Sequence, residues 1–431
     1  MRRRHFLSLL APLALAACAD SSAVPGPGSA DSLIPPEGTP ELGEPSDEER
    51  ARFAERSNAF GFDLYKKTAK PGRNVAMSPF SVATALTMTW AGAKGDTEAQ
   101  MRKVLHLDGA REQLLAEAGK TSAWLQATDR PFKLRGANRL FGDKGTRFEQ
   151  PYLDDAKRAF GAPLAPLDFR GGADASRAQI NRWVEERTEK RIKDLLPDGS
   201  VDELTRLVLV NAIYFLADWA QPFEKEATYA AAFATGPSST KDAPTMHATE
   251  SYKFAHKDGV KLLELPYKGD TMSMVLLLPD ALDGVEALEK ALTPEALKAM
   301  RAEAKVQTVQ IAIPKFEIDP TDSAAFGAAL AELGMPDPFA PRKADFTAIA
   351  NPPSPDERLF ISEVFHKAFV KVDEKGTEAA AATAVVMAEA ASAAPMPSLT
   401  FTADHPFLFF IVDHASSLVL FMGRVADPTS K

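Results

Sequence analysis

Residues 376–394 read GTEAAAATAVVMAEAASAA, in which ten of nineteen residues are alanine and only Glu378 and Glu389 carry charge. A strand-like run lies on either side, residues 365–372 before it and 406–412 after it. A small-residue segment between two strands is either a flexible, exposed stretch or a strand in waiting. Alanine runs also form helices and bland linkers, so composition leaves both open. Alternation favours the strand. Side chains of a strand point to opposite faces in turn. From Thr377, one face would carry Thr377, Ala379, Ala381, Thr383, Val385 and Met387, all small or apolar. The other would carry Glu378, Ala380, Ala382, Ala384 and Val386. A charge on the first face would be buried unpaired, at a cost on the order of several kcal/mol. Alanine also has no rotamer freedom to lose on burial. Gly376 is read as a hinge with unusual φ.

The chain opens Met1-Arg2-Arg3-Arg4-His5, and an apolar run follows over residues 6–17. Twelve residues are too few to span a bilayer comfortably. The run ends Leu15-Ala16-Ala17-Cys18, which resembles a bacterial lipoprotein cleavage box. The resemblance implies a signal peptide over 1–17, with Cys18 as the lipidated mature N-terminus. The alternative is an ordinary secretory signal in which Cys18 is incidental. Cys18 is the single cysteine, so no internal disulfide is expected despite an export route that permits them. Ala19 in place of aspartate resembles the outer-membrane sorting default. Residues 18–48 are rich in Pro, Gly, Ser, Asp and Glu and read as a tether, because they cannot bury enough apolar surface to fold. The expected location is the cell envelope, lipid-anchored, or the exterior.

About 383 residues follow the tether, and 45% apolar content supports a large core. Net charge is −9 with no dense Lys/Arg run in the mature chain, so nucleic acid is not an expected partner. Helical periodicity appears over 46–67, 78–90, 97–105, 149–160, 174–195, 285–303 and 322–333. Ser46-Asp47-Glu48-Glu49 opens the first as a capping box, Pro79 follows Ser78 at the start of the second, and Asp96 reads as the cap of the third. Strand-like runs occupy 205–216, 261–266, 272–278, 306–316, 359–372, 399–401, 407–412 and 418–425, and 207–215 reads as a buried central strand. Helices and strands mix without regular alternation, which argues α+β.

No Gly-x-Ser-x-Gly, Walker loop, Gly-x-Gly-x-x-Gly or His-Glu-x-x-His occurs, and the seven histidines show no metal-ligand spacing. No catalytic residue, metal or cofactor is expected.

Five segments, in order, resemble one family. They are Asn74-Val75-Ala76-Met77-Ser78-Pro79-Phe80-Ser81; Asn211-Ala212-Ile213-Tyr214-Phe215 with Trp219 and Pro222-Phe223; and His366-Lys367-Ala368-Phe369-Val370 leading to Glu374-Lys375-Gly376-Thr377-Glu378-Ala379-Ala380. The last two are His405-Pro406-Phe407-Leu408-Phe409 and Leu420-Phe421-Met422-Gly423-Arg424-Val425. Over residues 49–431 the chain resembles the serpins. The resemblance implies three β-sheets, eight or nine helices and an exposed reactive-centre loop, here about 374–398. It implies a monomer that traps serine proteases covalently. The protease cleaves the loop and forms an acyl-enzyme, and the cut loop inserts into the main sheet.

The proximal hinge matches Glu374, Gly376, Thr377, Glu378, Ala379, Ala380, Ala381, Ala382 and Thr383. Ser78, Ser81, Asn211 and His366 resemble the polar cluster where strands part. Trp219, Lys315 and Glu374 match the point where insertion begins. Family spacing from Glu374 puts the cleaved bond at Ala390-Ala391, with Met387, Ala391 and Ala394 as further candidates before the cut. Small residues there, with no Arg or Lys between 376 and 394, favour an elastase-like target. A non-inhibitory carrier or chaperone of the same family is the alternative, and an unrelated lipoprotein enzyme or binding module is a third.

Overall fold

A computed structural model describes residues 41–161, 164–320, 322–377 and 399–430, all within the compact unit Ile34–Lys431. Nine α-helices lie among the described residues. They are α1 (Asp47–Thr68), α2 (Pro79–Trp90), α3 (Gly95–Val104), α4 (Arg111–Leu125) and α5 (Gln150–Phe160), then α6 (Phe169–Arg187), α7 (Val285–Ala291), α8 (Pro294–Glu303) and α9 (Gly327–Leu333). Sixteen strands begin with β1 (Val75–Met77), β2 (Lys133–Asp143), β3 (Ala165–Leu167) and β4 (Leu207–Asp218). Next come β5 (Thr228–Gly236), β6 (Ser239–Lys257), β7 (Val260–Pro266) and β8 (Met272–Pro279). The chain continues through β9 (Lys305–Pro314), β10 (Phe316–Ile318), β11 (Ala324–Ala325) and β12 (Val364–Val372). It closes with β13 (Gly376–Thr377), β14 (Leu399–Thr402), β15 (Phe407–Asp413) and β16 (Val419–Val425).

The strands form two hydrogen-bonded networks, one of nine strands and one of seven, where three sheets were expected. The join is β6, nineteen residues long, which pairs β5 at its start and β7 at its end, with β9 along its middle. A strand that long links what would otherwise be two sheets. The seven-stranded sheet runs β10-β12-β13-β4-β2-β3, with β11 paired to β12 off this path. In it β12 also pairs β4 in parallel, Val364 to Phe369 against Leu209 to Tyr214.

Residues of β4 alternate between two cores. Leu207, Leu209, Ile213, Phe215 and Ala217 join the large clusters that include the core of α1 and α2. Val208, Val210, Ala212 and Tyr214 pack with Phe169, Ile180 and Trp183 of α6. Burial on both faces explains why this run reads as continuously apolar.

Several expected boundaries move for physical reasons. The tether does not reach 48: Ser46 and Glu49 exchange hydrogen bonds around the first turn of α1, and the Glu41 main-chain N–H already donates to the Arg158 carbonyl. Helix α3 begins at Gly95 after Lys94, so Asp96 is in its first turn and not its cap. The run 285–303 is two helices, because Thr293 caps a new one and Pro294 takes its first position. Helix α6 starts at Phe169, capped by the Asp168 carboxylate, and ends before residues 188–195, which form a connector. Residues 324–325 pair with β12 and not within a helix.

Candidate functional site

The seam between β4 and β12 organises the site. The two strands touch in parallel over their lower halves and part above Phe369 and Tyr214. Into the opening comes β13, antiparallel to both. Thr377 faces Val372 on β12, and Gly376 and Thr377 face Asp218 and Ala217 on β4. The first two residues of the alanine-rich segment are therefore already strand.

Gly376 is required there by close approach. A Cβ on it would lie 2.0 Å from the Ala217 carbonyl oxygen and 2.8 Å from the Asp218 Cα. It is absent from the positive-φ glycines, so the expected unusual φ is corrected to a packing constraint. Thr377 is fully buried, and its hydroxyl shares a 2.5 Å hydrogen bond with the Tyr267 hydroxyl.

The three residues expected where insertion begins meet at this opening. Lys315 Nζ donates to both Glu374 carboxylate oxygens at 3.0 and 2.9 Å. Burial by itself would raise the Glu374 pKa, but the hydrogen bond and charge of Lys315 hold it below the ordinary value. The Trp219 main-chain N–H donates to the Lys375 carbonyl at 2.7 Å and its indole Nε1 to the Asp373 carbonyl at 2.9 Å. Its ring stacks on Tyr267 with centroids 4.6 Å apart. The Phe223 N–H donates to the Glu374 carbonyl. The turn 373–375 is thus held by main-chain acceptors and one ion pair.

The four residues expected where strands part also come together. The Ser78 main-chain N–H donates to His366 Nε2 at 3.1 Å, which makes Nε2 the acceptor and places the proton on Nδ1. Nδ1–H donates to Asn211 Oδ1 across the β4–β12 seam, where His366 and Asn211 are paired residues. Asn211 Nδ2 donates to Ser81 Oγ and to Asn138 Oδ1, both at 2.7 Å. Ser78 Oγ caps α2 by accepting from the Ser81 N–H. Burial pushes the His366 pKa down to about 3, consistent with a neutral ring whose Nε2 must accept.

The sequence reading missed two members, Asn138 and Tyr267. Asn138 is on β2, paired with Asn211. Tyr267 follows β7 and reaches Thr377 from 110 residues away. Neither carries a local signal, since each matters only through a partner distant in the chain. Hinge residues Glu378, Ala379, Ala380, Ala381, Ala382 and Thr383, the bond Ala390-Ala391 and Cys18 lie outside the described residues. Among the described residues no cluster of His, Cys, Asp or Glu could hold a metal, and no helix is long and apolar enough to cross a membrane.

Comparison with known proteins adds to this geometry. The family profile described as Serpin (serine protease inhibitor) matches residues 55–428. The chain is 40% identical over 379 residues to leukocyte elastase inhibitor of Sus scrofa, covering 86% of this chain and 97% of that protein. It is 36% identical over 364 residues to antithrombin-III of Homo sapiens, covering 83% and 77%. Among solved structures, uncleaved ovalbumin superimposes with a TM-score of 0.80 at 30% identity, over 87% of this chain and 100% of that one. Human thyroxine-binding globulin complexed with thyroxine gives 0.78 at 25%, over 89% and 100%.

Proposed function

The chain belongs to the serpin family, and on that premise we propose that it traps an elastase-like serine endopeptidase by loop cleavage and insertion. The observation that carries the reading is β13, already seated between β4 and β12. The protease serine oxygen bonds to the carbonyl carbon at the cut, the peptide C–N bond breaks, and the new amine takes the proton. The freed segment then extends β13 down the seam, carrying the acyl-linked protease.

The register supports this extension. Thr377 faces Ala217 and Val372, so each further loop residue meets one residue lower on both strands. Ala379 would meet Phe215 and Val370, and Ala381 would meet Ile213 and Ala368. Thr383 would meet Asn211 and His366. Its hydroxyl would arrive where insertion must break the His366–Asn211 hydrogen bond, and could satisfy either group. Met387 would meet Leu207, the first residue of β4. The same count brings Glu378 opposite Lys371, on the α6 side of the sheet. From Thr377 through Met387 the face that enters the core carries no charge. Six parallel pairs between β4 and β12 are exchanged for antiparallel pairing on both flanks, which favours the inserted form.

The alanines at Ala390-Ala391 and at the alternative Ala394 suit a shallow specificity pocket, whereas a cut after Met387 would need a deeper one. Lipid at Cys18 would hold the inhibitor at the cell envelope, and Cys18→Ala should then move it to the soluble fraction. Incubation with pancreatic elastase and a denaturing gel tests the reading. A covalent complex supports inhibition, and clean cleavage without a complex supports the carrier or chaperone alternative.

A further inference from the structure

A cleft of about 470 Å³ opens between the connector after α6 and the α6-side face of β12 and β10. Lys190, Arg191 and Lys193 reach it from the connector, and Lys367 and Lys371 from β12. Three carboxylates, Asp194, Glu317 and Asp319, also line it. The lining is therefore cationic by two charges in a chain that is net −9.

The cations come from two segments, 190–193 and 367–371, which only the fold brings together. Lys367 is buried, 6% exposed, and its Nζ donates to the Lys193 carbonyl at 3.1 Å. That contact docks the connector onto β12. Lys371 is 3.4 Å from Glu317, and the Lys193 side chain is 64% exposed with Glu185 only at 4.0 Å. Lys190 is held at φ 65°, next to Glu189 at φ 50°. Cationic residues from two separate elements thus line one open space.

We propose that this cleft binds a compact polyphosphate anion and that the bound anion slows loop insertion. The second half rests on the insertion reading above. Ile192 and Leu195 of the connector share a buried cluster with Val208 and Val210 of β4, whereas Lys367 is on β12, so parting β4 from β12 strains the Lys367–Lys193 contact. An anion bridging the connector lysines to Lys371 adds a second tie across the same junction. Multiply charged phosphate suits such a site because lysine ammonium groups recognise it as point charges.

The test uses the full chain and sodium tripolyphosphate. Calorimetry should show one site, weakened about fivefold or more in the double variant Lys190→Ser/Lys193→Ser. Raising salt to about 0.5 M should weaken it as well. The anion should raise Tm in the wild type and far less in the variant. Saturating anion should slow elastase complex formation severalfold in the wild type only. No binding, or equal binding by the variant, overturns the site. Binding that leaves the complex-formation rate unchanged overturns the clamp. Complex formation without anion is measured separately, so failure of the inhibitor reading is distinguishable from failure of this one.

Discussion

Replacing Ala379 by glutamate puts a carboxylate on the face that must enter the core. Were the Thr377 pairs continued on insertion, residue 379 would meet Phe215 and Val370, both fully buried. The hydroxyl of Tyr267, whose ring packs edge-on against Phe215, is already shared with Thr377. The new side chain enters either charged or protonated. Protonating a glutamate of ordinary pKa at pH 7 costs about 4 kcal/mol, and leaving it charged costs at least several. If half of the smaller figure is felt in the insertion transition state, insertion slows about thirtyfold. Hydrolysis of the acyl-enzyme is unaffected, so it outruns insertion and the variant becomes a substrate. The assay is the stoichiometry of elastase inhibition, read alongside a denaturing gel. Ala379→Glu should need many equivalents per protease and yield mostly cleaved chain, whereas Glu378→Ala should remain near the wild type. Full inhibition by Ala379→Glu would refute the register. Full inhibition by Ala379→Glu together with improved inhibition by Glu378→Ala would show that the faces are reversed.

Other outcomes follow from the same geometry. Gly376→Ala forces a Cβ onto the main chain of β4, overpacking at roughly 1–3 kcal/mol, so Tm should fall by several degrees; an unchanged melt would remove the close-packing argument. Glu374→Lys faces Lys315 with a like charge and loosens the turn 373–375, which keeps its main-chain bonds, so polymers should accumulate on heating, and an unchanged monomer yield on size exclusion would count against this. His366 has a folded pKa of about 3 against an ordinary 6.5, so its neutral form stabilises the fold above about pH 6.5 and that stability is lost as pH falls toward 3. His366→Gln, still able to accept from Ser78 and donate to Asn211, should flatten the dependence of Tm on pH across that window; an equally steep profile would place the acid sensitivity elsewhere.

What could be read from the residues alone depended on how local its cause was. The start of α1 was legible because Ser46 and Glu49 complete their hydrogen bonds within one turn. The central strand β4 was legible because burial on both faces makes it continuously apolar. His366 and Asn211 were legible only as parts of motifs, since nothing in either segment says they pair across a seam. Strand β6 was missed because exposed stretches carrying Lys, Asp, Glu and Ser break its alternation into two short pieces around Ala243–Thr245 and Tyr252–Phe254. Helix α4 was missed although Leu114, Leu115, Ala118 and Leu125 form its buried side. Gly376 was correctly singled out for the wrong reason, because close approach of β4 cannot be seen from one segment.

Trapping depends on whether a cut loop becomes a strand beside β12. Elastase mixed with an equimolar amount of the protein, boiled in detergent and resolved on a gel, measures it. A band at the summed mass of the protease and the cleaved chain, resistant to detergent and lost when the protease serine is blocked beforehand, is the predicted result. Complete cleavage within the loop with free, active elastase and no such band would contradict it.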